Sequence, residues 1–291
     1  MKGNRLFSRR FGYMLIFPSA IVFLIVSIYP LLTGIMLSFQ NSSLYKGNEK
    51  KFVGLKNIIT ILTSDAEFRS DLLFTVIYTV GIVVIAYITG LVFSLLLNAD
   101  VPCRTLFRVL ILIPWVISPA VSSMSWSWLL SDQYGFFNNF LKSIGVIDKS
   151  ILFLADKTLA KIMVIIIGAW RNFPFITVSL LAGLQGISKD YYEAADIDGA
   201  NKFQRFRYVT FPHLKNVSII TITLVSIWTF NNFDNIYMLT KGGPAQSTEV
   251  LSILAYNNAF FRGNISYATV MLVIMLIASG VYFKVSKYGK E

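Results

Sequence analysis

The chain has 291 residues, of which 55% are hydrophobic and 14% are charged, and its mean hydropathy is +0.63. This composition is too apolar for a water-soluble globular protein, and the chain is too long for a single membrane anchor. The net charge of +11 sits mainly between the apolar runs, which is typical of membrane orientation and not of a nucleic-acid interface. We therefore expect a protein of the lipid bilayer with no nucleic-acid partner.

Six uncharged or nearly uncharged runs are each long enough to cross the bilayer as a helix. A span needs about 20 apolar residues, and a helix satisfies its own backbone hydrogen bonds inside the hydrocarbon. The runs cover residues 13–39, 72–98, 107–130, 159–184, 216–240 and 265–283. The first is too long for a signal-peptide core and has no small-residue cleavage site, so we expect it to be retained. The predicted fold class is all-α, a polytopic domain of six transmembrane helices over residues 13–285.

Lysine and arginine are unequally divided between the two sides of the predicted membrane. With the N-terminus inside, the inner segments hold more basic residues than the outer ones, and subtracting acidic residues increases the difference. Basic loops tend to stay in the cytoplasm. We therefore expect both termini to be cytoplasmic, including an N-terminal segment over residues 1–12, together with the long polar loop over residues 185–215.

Charged residues lie within the fourth and fifth predicted spans. Arg171 is near the middle of one and Asp234 is toward the outer half of the other. An arginine facing lipid at the bilayer centre costs about 2.5–3.5 kcal/mol, so Arg171 should face a partner helix or a wet cavity. One interpretation is that both segments line a solute path; the alternative is a structural Arg171–Asp234 ion pair or a subunit contact. The candidate path residues are Trp170, Arg171, Asn172, Asn231, Asn232 and Asp234.

The polar loop begins with a predicted short helix. Asp190 and Glu193 have the spacing of a capping box, which predicts a helix start near Tyr191. Gly199 is a natural left-handed stop for that helix.

A second short helix is predicted after the stop. Asn201 with Gln204 repeats the cap signature, and this helix should end before Pro212. A helix-turn-helix with small alanine side chains suits docking into a groove of a partner. The alternative is an amphipathic hairpin on lipid headgroups.

The loop resembles the EAA loop of permease subunits in ABC importers. The resemblance rests on Glu193-Ala194-Ala195, on Gly199, and on Phe211-Pro212. It implies a type I ABC importer permease fold in a bacterial inner or plasma membrane. It also implies that the loop couples to an ATPase through the residues Glu193, Ala194, Ala195, Asp198, Gly199, Ala200, Phe203 and Pro212.

Three further stretches are similar to the maltose-type carbohydrate-uptake permeases. They are Phe52-Val53-Gly54-Leu55-Lys56-Asn57, Phe233-Asp234-Asn235-Ile236-Tyr237, and Thr240-Lys241-Gly242-Gly243-Pro244 followed by Ser247-Thr248-Glu249. The resemblance implies a carbohydrate substrate. In the solute-path interpretation Trp170, Trp228 and Phe230 stack on sugar rings, and the alternative for each is ordinary packing. It implies as partners a second homologous permease, two ATP-binding cassette subunits and an extracellular solute-binding protein.

The sequence contains no phosphate-binding loop of the form Gly-x-x-x-x-Gly-Lys-Ser/Thr. It also contains no metal-ligand cluster and no nucleophile-base set, and its only histidine is His213. We therefore expect no catalytic or metal site and no cofactor on this chain, with ATP and Mg bound by the partner ATPase. Two other hypotheses remain open: an ABC permease for a non-sugar solute such as a polyol phosphate, and a regulatory membrane subunit that docks an ATPase without conducting.

Overall fold

The computed structural model of the protein describes residues 9–43, 45, 51–99 and 102–288. Of the predicted N-terminal segment 1–12, residues 1–8 lie outside the described residues. The chain divides into two compact units. One comprises Met1–Asp65 with Ala255–Ile274, and the other comprises Ala66–Leu254 with Met275–Glu291.

Helices make up nearly all of the regular structure in the described ranges. They are α1 Arg9–Phe23, α2 Tyr29–Ser38, α3 Lys56–Ser64, α4 Ala66–Asn98, α5 Arg104–Val116, α6 Pro119–Leu129, α7 Phe136–Ser143, α8 Lys157–Gln185, α9 Lys189–Ile197, α10 Lys202–Arg205, α11 Phe211–Phe230, α12 Asp234–Leu239, α13 Leu251–Tyr256 and α14 Ile265–Tyr288. Three π-helical turns, Leu24–Ile28, Phe206–Thr210 and Asn257–Phe261, lie between them. The all-α prediction is confirmed, with one addition: a minimal antiparallel hairpin of β1 Gln40–Asn41 and β2 Lys51–Phe52.

Among the residues that the structure describes, five continuous helices are long and apolar enough to cross a membrane, and they match five of the six predicted spans. They are Gly12–Ser38, Ala66–Asn98, Lys157–Gln185, Lys202–Phe230 and Ile265–Lys287. The predicted span 107–130 is instead the pair α5 and α6, which bends by 93° and makes a sixth span if the pair is counted as one. Proline explains the bend: Ser118, which precedes Pro119, takes an extended conformation, as residues before proline do.

The boundaries of the predicted fifth span, 216–240, are wrong at both ends. The helix stops at Phe230, and α12 is a separate short helix. Asn231 is one reason for the stop, because its side-chain amide bonds to the backbone carbonyl of Ile227 at 2.8 Å and competes with helical pairing. At the other end, the helix begins at Lys202 and passes through the π-helical turn Phe206–Thr210 into α11 without a break.

The first unit holds the helix Gly12–Ser38, and no residue in the most apolar stretch of this helix is fully buried. After this helix, the Asn57 amide donates hydrogen bonds to the carbonyl oxygens of Ser38 at 3.2 Å and Gln40 at 2.8 Å. These bonds hold the start of the hairpin against α3. The backbone N–H of Ser42 donates to the Ser266 hydroxyl at 2.6 Å, which fixes the hairpin to the beginning of α14.

The second unit is built on the packing of α4 against α8. Phe74, Tyr78, Ile82 and Ala86 recur every four residues along α4, so they form one stripe, and all four are buried. Buried residues of α8, α11 and α12 complete this core. Asp156 caps α8, and its carboxylate accepts hydrogen bonds from the N–H groups of Thr158 and Leu159.

A rigid turn follows α12 in the same unit. The Thr248 hydroxyl donates to the Gly243 carbonyl at 2.6 Å and pairs with the Thr240 hydroxyl at 2.7 Å. The N–H of Leu251, the first residue of α13, donates to the Thr75 hydroxyl of α4 at 3.0 Å. The buried Thr75 side chain therefore caps the first N–H group of α13.

One close contact between α4 and α8 is at Gly90. A Cβ there would lie 2.8 Å from Cγ2 and 2.9 Å from Cβ of the buried Ile176. We expect Gly90→Ala to destabilise the protein by about 1–3 kcal/mol through overpacking. A lowered apparent unfolding temperature of the purified protein in detergent measures this.

Gly280 in α14 is the matched control, because a Cβ there would meet no atom within 4 Å. Gly280→Ala should be neutral or stabilising, since alanine favours a helix more than glycine by about 1 kcal/mol. Equal unfolding temperatures for the two variants would contradict the packing described for Gly90.

Candidate functional site

A polar cavity of about 200 Å³ lies where two helices are interrupted. One interruption is the bend between α5 and α6, and the other is the gap between α11 and α12. Side chains from both interruptions, and from α4 and α8, form the walls: Tyr78, Trp115, Pro119, Arg171, Asn172, Trp228, Thr229, Asn232, Asp234 and Asn235.

Three buried polar atoms on this wall have no hydrogen-bond partner among the described residues. They are Nη1 of Arg171, Oγ1 of Thr229 and Oδ1 of Asn232. Leaving such an atom unpaired costs about 1–3 kcal/mol, and native proteins rarely tolerate it without a reason. A guanidinium donor, a hydroxyl that can donate or accept, and an amide oxygen acceptor on a shared wall are suited to a ligand that carries hydroxyl groups.

Aromatic side chains form another part of the same wall. The ring centroids of Trp115 and Phe175 are 5.9 Å apart, and those of Phe175 and Trp228 are 4.9 Å apart. Phe175 therefore supports the two tryptophans that face the cavity. Flat apolar rings beside hydrogen-bonding groups are typical of small-molecule sites.

The structure brings together four of the six candidate path residues: Arg171, Asn172, Asn232 and Asp234 all line the cavity. Trp170 does not. It lines an apolar groove with Phe173, and its ring lies edge-on to that of Trp126 with centroids 5.4 Å apart.

Asn231 also lies outside the cavity wall. Its amide donates to the Ile227 carbonyl at 2.8 Å and to the Ser279 hydroxyl at 3.0 Å, which ties α11 to α14. Phe230, a candidate stacking residue, lines a different, apolar cavity next to Ser279.

Five wall residues were not predicted: Tyr78, Trp115, Pro119, Thr229 and Asn235. Only Pro119 carried a usable signal, because a proline in an apolar run marks a break, and broken membrane helices tend to line cavities. The alternative of an Arg171–Asp234 ion pair is not formed: both side chains line the cavity, but no salt bridge joins them in the described part of the chain.

The polar loop contains the two predicted helices, with a different cap at the first. The predicted capping box of Asp190 and Glu193 is wrong. The helix α9 begins at Lys189, and the Ser188 hydroxyl caps it by accepting from the N–H of Asp190. Serine before the acidic residue takes the capping role, and Asp190 contributes its charge to the first turn.

The turn and the second cap agree with the prediction. Gly199 has a φ of +73°, in the left-handed region where glycine is favoured. The Asn201 and Gln204 side chains each accept from the other's backbone N–H, at 2.9 and 2.8 Å, which is a complete capping box. The predicted end before Pro212 is wrong, because the helix continues without a break into α11, and Pro212 is the second residue of α11.

Several contacts fasten α9 to the long helix that follows. Nη1 of Arg205 lies 2.8 Å from Oδ1 of Asp196, and the same guanidinium lies over the Tyr192 ring at 5.2 Å. The Tyr192 hydroxyl is 3.1 Å from that of Thr210. An exposed ion pair by itself contributes little, but the set spans both sides of the turn and makes the loop one block with α11.

The surface of this block is unusually apolar for a polar loop. Ile197 is 87% exposed, Phe203 is 74% exposed and Tyr208 is 72% exposed. Beside them is an open groove of about 390 Å³. Its lining includes five of the eight predicted coupling residues, Ala194, Ala195, Asp198, Gly199 and Ala200, and excludes Glu193, Phe203 and Pro212.

Residues 71–287 match the family described as the inner membrane component of binding-protein-dependent transport systems. The chain is 35% identical over 285 residues to the trehalose/maltose transport system permease protein of Thermococcus litoralis, covering 97% of this chain and 95% of the relative. It is 34% identical over 288 residues to a probable ABC transporter permease protein of Brucella suis, covering 98% and 99%.

Solved structures show the same fold. A crystal structure of a bacterial ABC transporter involved in import of the acidic polysaccharide alginate superposes with a TM-score of 0.80 at 20% identity. The superposition covers 95% of this chain and 94% of the matched chain.

The helices, the interrupted spans and the exposed loop define a membrane transport component of the ABC permease class. The chain belongs to the family of binding-protein-dependent transport system inner membrane components. It is therefore an inner-membrane protein with the type I importer permease fold, and its function is transport and not catalysis.

The left-handed turn at Gly199 tests the importance of loop geometry. Gly199→Val forces a β-branched residue to a φ of +73°, which costs about 1–3 kcal/mol. We expect it to displace the apolar surface and to lower transport-coupled ATP hydrolysis, measured on the complex with its ATPase in proteoliposomes.

Gly145 provides the matched control. It has a φ of +72° and, like Gly199, space for a Cβ with no other atom within 4 Å, but it lies after α7, away from the loop. Gly145→Val should carry comparable strain and leave coupled hydrolysis near the wild-type level. Loss of coupling in both variants, or in neither, would contradict the role given to the turn.

Proposed function

We propose that this chain is the membrane-spanning permease subunit of an ATP-driven, binding-protein-dependent importer for carbohydrate. It forms half of the translocation path and pairs with a second homologous permease. Two ATP-binding cassette subunits, which bind ATP and Mg, dock on the loop 185–215. An extracellular solute-binding protein delivers the sugar, and both termini of the chain are cytoplasmic.

The observation that carries the proposal is the cavity at the two helix interruptions. Its Trp115 and Trp228 rings offer flat apolar surfaces, while Arg171, Thr229 and Asn232 offer polar atoms that no group in the described part of the chain pairs with. Sugars have apolar ring faces and hydroxyl edges, so this pairing fits them. The similarity to a trehalose/maltose permease supports the same class of solute.

Coupling to an ATPase is supported by the geometry of the loop. The side chains of Ile197, Phe203 and Tyr208 are apolar and exposed. Exposed apolar surface of this kind is typical of a site that a partner protein covers. When the two ATPase subunits close on ATP, they would draw the docked loops together. The continuous helix Lys202–Phe230 would carry that movement to Trp228 and Thr229 at the cavity.

This arrangement constitutes a two-state device. A ligand shifts an equilibrium only through its different affinities for the two states. ATP would favour the state in which the loops are together and the cavity opens to the outside. Hydrolysis of ATP would return the importer to the other state. The loaded binding protein would favour the same outward state from the other side of the membrane.

One observation favours a second candidate substrate class. Nη1 of Arg171 is buried without a partner among the described residues, and a guanidinium pairs well with phosphate. A polyol phosphate or another anionic solute would use this donor. Asp234 on the same wall opposes an anion, so we place the neutral sugar first.

Uptake by proteoliposomes that contain the whole importer tests the solute path. Asn232→Ala removes a side chain of the cavity wall, and one lost hydrogen bond of about 0.5–1.5 kcal/mol predicts a roughly 2- to 10-fold rise in the half-saturating concentration of loaded binding protein or sugar. ATPase subunits should still assemble on the complex.

The adjacent Asn231 is the control. Asn231→Ala breaks the bonds to Ile227 and Ser279, so it should lower the unfolding temperature without changing solute affinity.

Inhibition of sugar uptake by polyol phosphates would favour the anionic solute. ATPase regulation with no uptake of either solute would contradict the conducting role and favour a regulatory subunit.

Thiol labelling tests the orientation. Cys103, the only cysteine, is exposed at the start of α5, and the proposal places it in the cytoplasm. A membrane-impermeant maleimide should label it in inverted vesicles and not in intact cells. In a Cys103→Ser background, Ala245→Cys, at an exposed site after Pro244, should show the opposite pattern. The reverse result for both would overturn the orientation and the cytoplasmic docking together.

A further inference from the structure

A small groove lies between α11 and α14, away from the solute cavity. Its volume is about 250 Å³, and its lining residues are Ile220, Thr223, Leu224, Phe283, Ser286 and Lys287. The groove shares none of its lining with the polar cavity or with the loop groove. Both helices belong to the membrane-spanning set, so its opening faces either lipid or another membrane helix.

The two hydroxyls on the lining are already used within their own helices. The Thr223 hydroxyl donates to the Ile219 carbonyl at 2.6 Å, and the Ser286 hydroxyl donates to the Phe283 carbonyl at 2.9 Å. Neither needs a polar ligand. Apart from Lys287, the groove therefore presents an apolar wall, which suits a hydrocarbon chain.

Lys287 introduces a single positive charge at the end of this wall. The side chain is exposed, and no acidic residue in the described part of the chain forms a salt bridge with it. A 23-residue helix is about 34 Å long and the hydrocarbon core is about 30 Å thick, so the last residue of Ile265–Lys287 reaches headgroup depth. Its ammonium group is then level with lipid phosphates.

We propose that this groove is a binding site for an anionic phospholipid. One acyl chain lies against Ile220, Leu224 and Phe283, and the headgroup pairs with the Lys287 ammonium. Charge complementarity selects this occupant: an anionic phospholipid covers the apolar wall and pairs with the ammonium group, whereas free phosphate would leave the apolar wall uncovered. The proposal depends on the membrane location of the two helices and not on the identity of the transported solute.

Photo-crosslinking of the purified importer in lipid nanodiscs tests the site. The probes are phosphatidylglycerol and phosphatidylcholine, each with the same diazirine-bearing acyl chain, and labelled peptides are identified by mass spectrometry. We expect phosphatidylglycerol to label the peptides that contain residues 220–224 and 283–287 more strongly than phosphatidylcholine. Excess inorganic phosphate should not reduce the labelling.

Two variants separate the charge from the groove. Lys287→Gln should reduce labelling by phosphatidylglycerol about fivefold, the change that corresponds to about 1 kcal/mol per basic residue at a membrane surface. Leu224→Trp fills the groove, so it should reduce labelling while Lys287 is intact. Lys284→Gln is the matched control: it removes the same charge from the same helix, but Lys284 does not line the groove, and labelling should persist.

Several results would overturn the proposal. Equal labelling by the two lipids would show a groove without headgroup selectivity. An equal loss in Lys284→Gln and Lys287→Gln would show a diffuse surface charge in place of a site. No labelling of these peptides by either lipid, with labelling elsewhere on the chain, would show that protein and not lipid covers the groove, and competition by inorganic phosphate would assign Lys287 to a free anion. Solute uptake does not enter any of these readouts, so a failure here is distinct from a failure of the transport proposal.

Discussion

The structure depends on one constraint: inside lipid, every backbone N–H and C=O group must be paired within the protein. This is why the chain is made of long helices, and it also explains where the helices stop. Interruptions are tolerated only where other elements cover the freed groups. The bend before Pro119 and the gap after Phe230 both border the polar cavity. The places where the helical pattern fails are therefore the places where polar side chains surround a cavity within an apolar medium.

The second organising feature is the continuity of the helix Lys202–Phe230. One end carries the loop block that Arg205, Tyr192 and Thr210 fasten together, and the other end contributes Trp228 and Thr229 to the cavity. A rigid helix transmits displacement with little loss, whereas a flexible linker would absorb it. The two polar regions of the chain, one outside the bilayer and one within it, thus belong to a single mechanical element.

The sequence was most informative where a pattern is local. Long apolar runs identified four spans closely, and the Asn201 and Gln204 spacing predicted a complete capping box, because each depends on residues close together in the chain. Sequence reasoning was weaker where two elements compete. Ser188 displaced Asp190 as the cap, and Asn231 ended a helix that hydropathy alone would have continued to residue 240. Tyr78, Thr229 and Asn235 were missed because only tertiary packing brings α4 beside the end of α11 and the start of α12.

The π-helical turn Phe206–Thr210 has a consequence for how such chains can vary. A π turn is an α-helix with one extra residue, and each residue of an α-helix advances the chain by about 100° around its axis. Loss of one residue there would leave a good helix and intact hydrophobic burial beyond it, yet would rotate the polar loop by more than a quarter turn about the axis of α11. The direction in which the loop faces around the axis of α11 thus depends on the number of residues in the turn. An insertion or deletion of a single residue in this turn should therefore be harder to accept than a substitution that keeps the residue count.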